Sequence, residues 1–358
     1  MRFYNLVGFT LLFLLVLNGC KKNDPQDGED PTLPAPKIWE TVGNVNINQI
    51  VTTLCSDPQG NIYAAGFTDN NDKYYVLKWD GKKWSTLEGL RTNYCIYHLS
   101  SDKSGNIYAS GSVGDAADTY YYIAKWDGTT WTDMGIHSPF ASHIYSTTDK
   151  NGNLYAAVPN NFGQSFVYAH TGGTSWNNLG SLAPDEFIGT ISADGNGKIY
   201  EVLNRGSLDY PIVAMFSNGI WSELPRITSD VNNQMFTSCT DLQGNLYVGG
   251  DLYDKTTKKF FVGKWDGSQW IRMSGLNGNV QSVCTDPMGN IYAAGSLSFN
   301  GGGNGFDVVK WDGKKWVALG AIGSKINIHA LCSDPVGNIY AEGTFTSNYI
   351  NQIKVCKK

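Results

Sequence analysis

The stretch from residue 284 to residue 320, CTDPMGNIYAAGSLSFNGGGNGFDVVKWDGKKWVALG, decides the fold. Short apolar runs alternate in it with turn signals. In Asp286-Pro287-Met288-Gly289 the Asp can bond backbone amides two residues on, the Pro fixes φ and the Gly accepts a positive φ. Asp312-Gly313 marks a second tight turn. With the apolar run that precedes it, the stretch predicts four antiparallel strands, at 280–284, 290–294, 306–311 and 316–319.

The same unit occurs seven times along the chain. One four-stranded meander cannot bury both faces of its sheet, so it needs copies of itself. The signature Asp-x-x-Gly-Asn/Lys-Ile/Leu-Tyr recurs at intervals of 45 to 48 residues, which is the spacing of β-propeller blades. It begins at Asp57, Asp102, Asp149, Asp194, Asp241, Asp286 and Asp334. Counting these units predicts seven blades.

Tryptophans mark the fourth strand of each unit, and we expect them to lie against the next blade. They recur as Trp84, Trp131, Trp176, Trp221, Trp270 and Trp316. Trp39 also matches a fourth strand but has no blade before it, whereas the last unit ends at its third strand near Val355. We therefore predict that the N-terminal strand completes the C-terminal blade and closes the ring. The predicted fold class is all-β, a seven-bladed β-propeller of four-stranded antiparallel blades.

Two parts of the unit resemble known propeller repeats. The segment Asp57-Pro58-Gln59-Gly60-Asn61-Ile62-Tyr63 resembles the first hairpin of an NHL repeat. Residues 75–87, with Trp79 and Trp84, resemble the aromatic end of a kelch repeat. The resemblance covers residues 38–356 and implies a scaffold that serves as a binding platform, as most such propellers do, while a minority are enzymes. It does not assign an activity.

The amino-terminal segment predicts export and lipidation. Residues 6–17 are almost wholly apolar but too short to span a bilayer, so we interpret residues 1–19 as a signal peptide. Leu17-Asn18-Gly19-Cys20 resembles a lipoprotein cleavage box, which implies acylation of Cys20. Residues 20–36 are then the acylated Cys and a disordered tether rich in proline and acid, and residues 37–358 are the propeller. An ordinary secretory signal is the alternative reading.

These features predict an outer-membrane lipoprotein of the cell envelope, either surface-exposed or periplasm-facing, that meets the membrane through its lipid alone. The net charge of −5 and the absence of a basic stripe argue against nucleic acid as a partner. We expect a monomer without a cofactor, whose partner is an envelope protein or a glycan. Cysteines at one position of the repeat, two residues before the signature Asp, predict small buried residues, while Cys95 and Cys356 stay open. Those four are Cys55, Cys239, Cys284 and Cys332.

The connections predict where binding occurs. The first and third turns of each unit are short and uniform, and they lie at one end of the blades, which we call the turn end. The second connections and the links between blades vary, and they lie at the opposite, loop end, where we expect recognition. The predicted lining of the site is Arg91, Tyr94, Tyr97, His98, His137, His143, Glu186 and His329.

No catalytic constellation stands out, so we favour a non-catalytic binding module over an enzyme. No nucleophile elbow of the form G-x-S-x-G is present. The alternative is a metal-dependent lyase or lactonase of the propeller kind that uses His98, His137 and His143, with Asp115 and Asp118 on a neighbouring loop. A purely structural envelope protein is a third hypothesis.

Two glutamates stand where other units have small residues on an inner strand. Burying a carboxylate costs free energy unless it is paired, so Glu201 and Glu342 are further site candidates. The alternative is that both reach solvent at a blade edge. They lie three blades apart in the predicted ring, which disfavours a glycosidase pair.

Overall fold

The computed structural model describes residues 38–43, 49–68, 74–90, 92, 95–111, 120–139, 143–160, 164–182, 187–204, 211–227, 234–297, 307–320, 322–324, 327–345 and 351–358. All of them belong to the unit Pro36–Lys358. This part of the chain is all-β, and it contains no helix long and apolar enough to cross a membrane.

The strands follow one another in the predicted groups. The chain begins with β1 (Trp39–Thr41). Blade 1 contains β2 (Gln49–Ser56), β3 (Ile62–Thr68), β4 (Val76–Trp79) and β5 (Trp84–Leu87). Blade 2 contains β6 (Ile96–Ser101), β7 (Ile107–Gly111), β8 (Tyr120–Trp126) and β9 (Trp131–Pro139). Blade 3 contains β10 (Tyr145–Thr148), β11 (Leu154–Pro159), β12 (Ser165–Gly172) and β13 (Ser175–Gly180).

The second half repeats the pattern. Blade 4 contains β14 (Phe187–Ala193), β15 (Ile199–Asn204), β16 (Ile212–Ser217) and β17 (Ile220–Glu223). Blade 5 contains β18 (Met235–Thr240), β19 (Leu246–Gly250), β20 (Tyr253–Asp254), β21 (Lys259–Trp265) and β22 (Trp270–Leu276). Blade 6 contains β23 (Val280–Thr285), β24 (Ile291–Gly295), β25 (Val308–Trp311) and β26 (Trp316–Ala318). Blade 7 contains β27 (Ile328–Ser333), β28 (Ile339–Thr344) and β29 (Asn351–Cys356).

The ring closes as predicted. Strand β1 is the fourth strand of blade 7, and it pairs antiparallel with β29 through Trp39 opposite Cys356 and Thr41 opposite Lys354. The first strands of successive blades lie side by side around the axis, and β27 of blade 7 lies beside β2 of blade 1. Among the described residues, seven sheets therefore form a closed ring, each of four strands except that of blade 5, which also contains the short β20.

The fourth-strand tryptophans contact the preceding blade, so the expectation that they face the next blade was wrong. Trp84 donates its indole N–H to the backbone oxygen of Val42, at 2.8 Å. The register explains the direction: Trp84 lies opposite Trp79, and Trp79 lies opposite Ile62, whose side chain belongs to the core shared with blade 7. The other six indoles donate likewise, from Trp39 to Leu319, Trp131 to Leu87, Trp176 to Met134, Trp221 to Leu179, Trp270 to Pro225 and Trp316 to Met273.

The signature Asp caps its turn. One oxygen of Asp57 accepts from the backbone amides of Gln59 and Asn61, both at 2.9 Å. The other accepts from the Asn61 side chain at 2.6 Å and from the Tyr63 hydroxyl at 2.9 Å. Gly60 completes the turn at φ +85°, where a side chain would be strained. The repeated Asp, Asn and Tyr are thus one hydrogen-bonded unit at the turn end.

Candidate functional site

A β-bulge interrupts the first strand of six of the seven blades near the loop end. The pairing register shifts five residues before the signature Asp in every blade except blade 3. A bulge inserts one extra residue and redirects its side chain. The bulged residues are Thr52, Tyr97, Gly189, Phe236, Gln281 and His329.

In most blades the bulged residue is more accessible than the residue that precedes it. Each of them is half-buried or exposed, whereas the preceding residue is buried in five of the six blades. Phe236, for example, is 36% exposed and follows Met235, which is 1% exposed. Because the first strands surround the axis, these residues form a ring around it at the loop end. We call the six bulged residues, together with His143 of blade 3, the bulge ring.

Glycines opposite the bulges make room for them. A Cβ on Gly111 would lie 2.7 Å from the Tyr97 amide nitrogen, and one on Gly295 would lie 2.7 Å from that of Gln281. Gly in the same place follows the signature Tyr by three residues in blades 1, 2, 5, 6 and 7. That spacing was the sequence signal for the bulges, which sequence reasoning missed.

Four rings meet between blades 2 and 3. The bulge turns both Tyr97 and His98 toward blade 3, where Tyr97 contacts the ring of His143 at 4.1 Å between centroids. His98 contacts Tyr145 at 4.8 Å. The structure therefore brings together His98, His143 and Tyr97 of the predicted site and adds Tyr145.

These imidazoles are neutral near pH 7. Burial lowers the pKa of His98 to about 4, with a smaller contribution from His143. Burial also lowers the pKa of His143, and it raises the pKa of Tyr97 to about 12. The cluster is thus an uncharged aromatic surface with polar edges, a combination that can stack on an apolar ring face and form hydrogen bonds at its rim.

His329 and Glu342 form a pair between blades 7 and 1. Nδ1 of His329 lies 3.1 Å from Oε2 of Glu342. The imidazole is 30% exposed and the carboxylate is fully buried. Burial raises the pKa of Glu342, and the hydrogen bond to Glu342 raises that of His329. The hydrogen bond to His329 acts on the pKa of Glu342 in the opposite direction to burial, so the contact favours the imidazolium–carboxylate pair while burial opposes the charge on the carboxylate.

Both glutamates are fully buried, so the alternative in which they reach solvent was wrong. Oε2 of Glu201 accepts from the Ser181 hydroxyl at 2.9 Å, while its Oε1 has no partner among the described residues. Burial raises the pKa of Glu201 to about 7. At Glu342, the nearby backbone amide of Val51 in blade 1 opposes the rise in pKa that burial causes.

His137 lies apart from the other two histidines of the alternative metal site. It stands on β9, the outermost strand of blade 2, and its Nε2 lies 2.9 Å from Oδ2 of Asp133. Within the described ranges no group of three or more His, Cys, Asp or Glu side chains is placed to hold a metal ion. Several predicted residues fall outside these ranges, namely Cys20, Arg91, Tyr94, Asp115, Asp118 and Glu186.

A cavity of about 480 Å³ opens on the axis at the turn end and is lined by all seven blades. Hydroxyls encircle its wall, and we call them the hydroxyl belt: Ser56, Ser101, Thr148, Thr240, Thr285 and Ser333. Each donates to the backbone oxygen of the equivalent residue in the preceding blade, for example Ser101 to Ser56 at 2.6 Å. Blade 4 carries Ala193 in this place. The hydroxyl groups are engaged in holding the blades together, and the sequence signal for them was the Ser or Thr before the signature Asp.

No disulfide joins the six cysteines of the propeller. Cys239 is half-buried, and Cys55, Cys284 and Cys332 are buried. Burial raises the pKa of each of these three thiols. A protonated thiol is a poor nucleophile and metal ligand, so these residues serve as small core side chains, as predicted.

No model of a protein family matches the sequence, and no curated protein matches it significantly. Solved structures do match. A catalytically inactive variant of virginiamycin B lyase from Staphylococcus aureus, solved with quinupristin, gives a TM-score of 0.65 at 9% identity, over 90% of this chain and 99% of that chain.

Two surface-associated proteins are similar over part of their length. PorZ, a surface component of the type-IX secretion system of Porphyromonas gingivalis, gives a TM-score of 0.56 at 13% identity, over 84% of this chain and 46% of that chain. The extracellular domain of a two-component system protein from B. thetaiotaomicron gives 0.58 at 15%, over 90% of this chain and 40% of that chain. At such identities the similarity establishes the fold alone: the chain is a seven-bladed β-propeller, an architecture used by a lyase and by extracellular domains.

Proposed function

We propose that this protein is a lipid-anchored module of the cell envelope that binds a glycan at the bulge ring without catalysis. The observation that carries the proposal is the bulge ring itself, an accessible set of residues repeated around the axis. Its aromatic members can stack on the apolar face of a sugar ring, and its amide, hydroxyl and imidazole groups can bond sugar hydroxyls. Resemblance to NHL and kelch propellers, most of which are binding platforms, supports a binding role.

Chain connectivity supports anchoring at the opposite end. Trp39 lies opposite Cys356, and the Lys358 amide donates to the side chain of Asn338, a residue of the blade 7 turn, at 2.9 Å. The chain therefore enters the propeller at the turn end. A lipid on Cys20, joined through the tether of residues 20–36, would attach there and leave the loop end free for a ligand. Similarity to surface and extracellular propellers is consistent with an envelope location.

The test is a glycan-array screen with the full chain purified in detergent, followed by calorimetry on the hits. We expect the double variant Tyr97→Ala, His143→Ala to lower affinity at least tenfold, because each aromatic ring removed takes away a packing contact of about 0.5–1.5 kcal/mol. Lys103→Ala, at the turn-end cavity, is the matched control and should leave affinity unchanged. Equal binding by the double variant and wild type would contradict the site. Capture of an envelope protein at the same ring, with no glycan bound, would assign protein docking instead.

A metal-dependent lyase or lactonase is the second candidate. Neutral imidazoles are good ligands for transition metals, and His98 and His143 lie together near the loop end with lowered pKa values. Elemental analysis of the purified protein separates the two functions. A stoichiometric metal that is lost in His98→Ala would favour the enzyme, and a metal-free protein that still binds glycan removes it.

A further inference from the structure

His329 differs from the rest of the bulge ring because a buried carboxylate holds it. The bulge of β27 places His329 on the side of the strand that faces blade 1, where Glu342 of β28 is fully buried. The 3.1 Å contact fixes Nδ1 of the imidazole against Glu342. No hydrogen bond engages Nε2 among the described residues, and the side chain as a whole is 30% exposed. One nitrogen is therefore occupied and the other is available to a ligand.

The pair also determines at which pH values Nε2 carries a proton. Nδ1–H donates to Glu342 in both the charged and the neutral form of the imidazole. The proton that His329 loses on titration is therefore the one on Nε2. Below the pKa of His329, which Glu342 raises, Nε2–H is a donor. Above that pKa, Nε2 is a bare acceptor. A ligand oxygen that can only accept therefore binds the protonated form alone.

Other ionisable groups near the pair face elsewhere. In the same blade, the Tyr340 hydroxyl donates to Asp334, and Lys354 donates to the Ile322 backbone oxygen. Cys332 is buried with the cysteines of the two flanking first strands, Cys284 and Cys55. Glu342 is thus the charged group that faces His329 in this part of the chain.

We propose that Nε2–H of His329 donates to a carbonyl oxygen of the ligand, so that the glycan bound at the bulge ring carries N-acetylated amino sugars. This inference rests on the proposed glycan-binding function. A carbonyl is a pure acceptor and matches the protonated imidazole. An acetamido group adds a methyl that can contact the aromatic members of the ring. Glu342 already neutralises the imidazolium, which makes a carboxylate on the ligand the poorer match.

Two probes isolate the acetamido group. N-acetylglucosamine tetramer and cellotetraose share the β-1,4 linkage and differ in the acetamido substituent, and a tetragalacturonate serves as the carboxylate arm. We expect wild type at pH 6 to bind the acetylated tetramer at least tenfold more tightly than cellotetraose, and this preference should disappear by pH 9.

Variants separate the contact from a merely structural role. His329→Phe should lose the preference at every pH. His329→Gln keeps an N–H donor that does not titrate, so it should retain the preference and lose its pH dependence. Glu342→Gln should move the pH midpoint downward, and circular dichroism checks that each variant folds.

The outcomes are distinguishable from failure of the proposed function. Binding of both tetramers with equal affinity, or a wild-type preference that persists unchanged at pH 9, would overturn the role of His329 while leaving glycan binding intact. Tighter binding of the galacturonate would overturn the acetamido assignment. Failure to bind any glycan would overturn the proposed function itself.

Discussion

At the scale of single residues, the free energy of this propeller depends on how each polar group in the repeat is satisfied. Six blades place Asn four residues after the signature Asp, and its amide donates to the outer Asp oxygen, as in Asn245 to Asp241 at 2.7 Å. Blade 4 has Lys198 in this place, and there Oδ2 of Asp194 and the hydroxyl of Tyr200 have no partner among the described residues. Among the described turns that begin at the signature Asp, the turn of blade 4 therefore leaves the most polar atoms without a hydrogen bond.

Replacing Lys198 by Asn should repair that turn. The new amide would donate to Asp194 as its equivalents do, and one such bond contributes about 1 kcal/mol to the free energy of unfolding. Urea denaturation measures the gain. The mirror variant Asn245→Lys is the control and should lose a similar amount. If Lys198→Asn is neutral while Asn245→Lys destabilises, the orphaned carboxylate is satisfied in another way.

Glu201 makes stability depend on pH. Its pKa in the folded protein is about 7, above the ordinary value of 4.5, so the folded state holds the proton that the unfolded state releases between these values. The free energy of unfolding should therefore fall as pH rises from 4.5 to 7, by roughly 3 kcal/mol at most.

Glu201→Gln should remove this dependence. We expect the variant to be more stable than wild type at pH 8 and to show no such gain at pH 4.5, as measured by denaturation at both values. The exposed Glu88→Gln is the matched control and should leave the pH profile unchanged. A gain that is the same at both pH values would mean that burial does not raise this pKa.

At the scale of elements, the first strand of each blade joins its neighbours through the hydroxyl belt. Six hydrogen bonds link seven strands, and the missing link falls between blades 3 and 4, where Ala193 has no hydroxyl. Ala193→Ser should donate to the Thr148 oxygen and raise the free energy of unfolding by about 0.5–1.5 kcal/mol. Thermal denaturation tests this, with Thr240→Ala as the opposing change. A destabilised Ala193→Ser protein would show that the two strands are not in the register described.

Strand pairing was predictable to within a few residues, whereas the bulges were not. Turn residues and the apolar runs fixed β23 and β24 because Asp, Pro and Gly impose local geometry. A bulge depends on close approach between two strands, which single-strand periodicity does not encode. Its signal was the Gly opposite five of the six bulges, such as Gly111. The bulge in β6 also explains why Tyr97 and His98 both face blade 3, although consecutive residues of a regular strand point to opposite faces.

At the scale of the whole molecule, closure of the ring was predictable because a fourth strand was missing at one end of the chain and surplus at the other. The proximity of His98 and His143 was also anticipated. The distance of His137 from them was not, because residues 131–139 continue as one long strand that carries it to the outside of blade 2. The contact between His329 and the buried Glu342 was not anticipated either, because it depends on how β27 pairs with β28 in three dimensions.

The closure strand should control global stability. Trp39 donates its indole N–H to Leu319 at 2.7 Å and is 9% exposed. Trp39→Ala should cost about 3–5 kcal/mol, because it removes a buried ring and frees the edge of β29. Size-exclusion chromatography and denaturation together report the effect. The exposed neighbour Ile38→Ala is the control, and equal stability of the two variants would contradict latching through β1.

Hydrogen–deuterium exchange with and without N-acetylglucosamine tetramer shows whether a glycan occupies the bulge ring at the loop end. We expect protection in the amino-terminal halves of the first strands, around Tyr97, His143 and His329, with no change at the turns that begin at Asp57 and its equivalents. Protection confined to those turns and the cavity beside them would contradict this expectation.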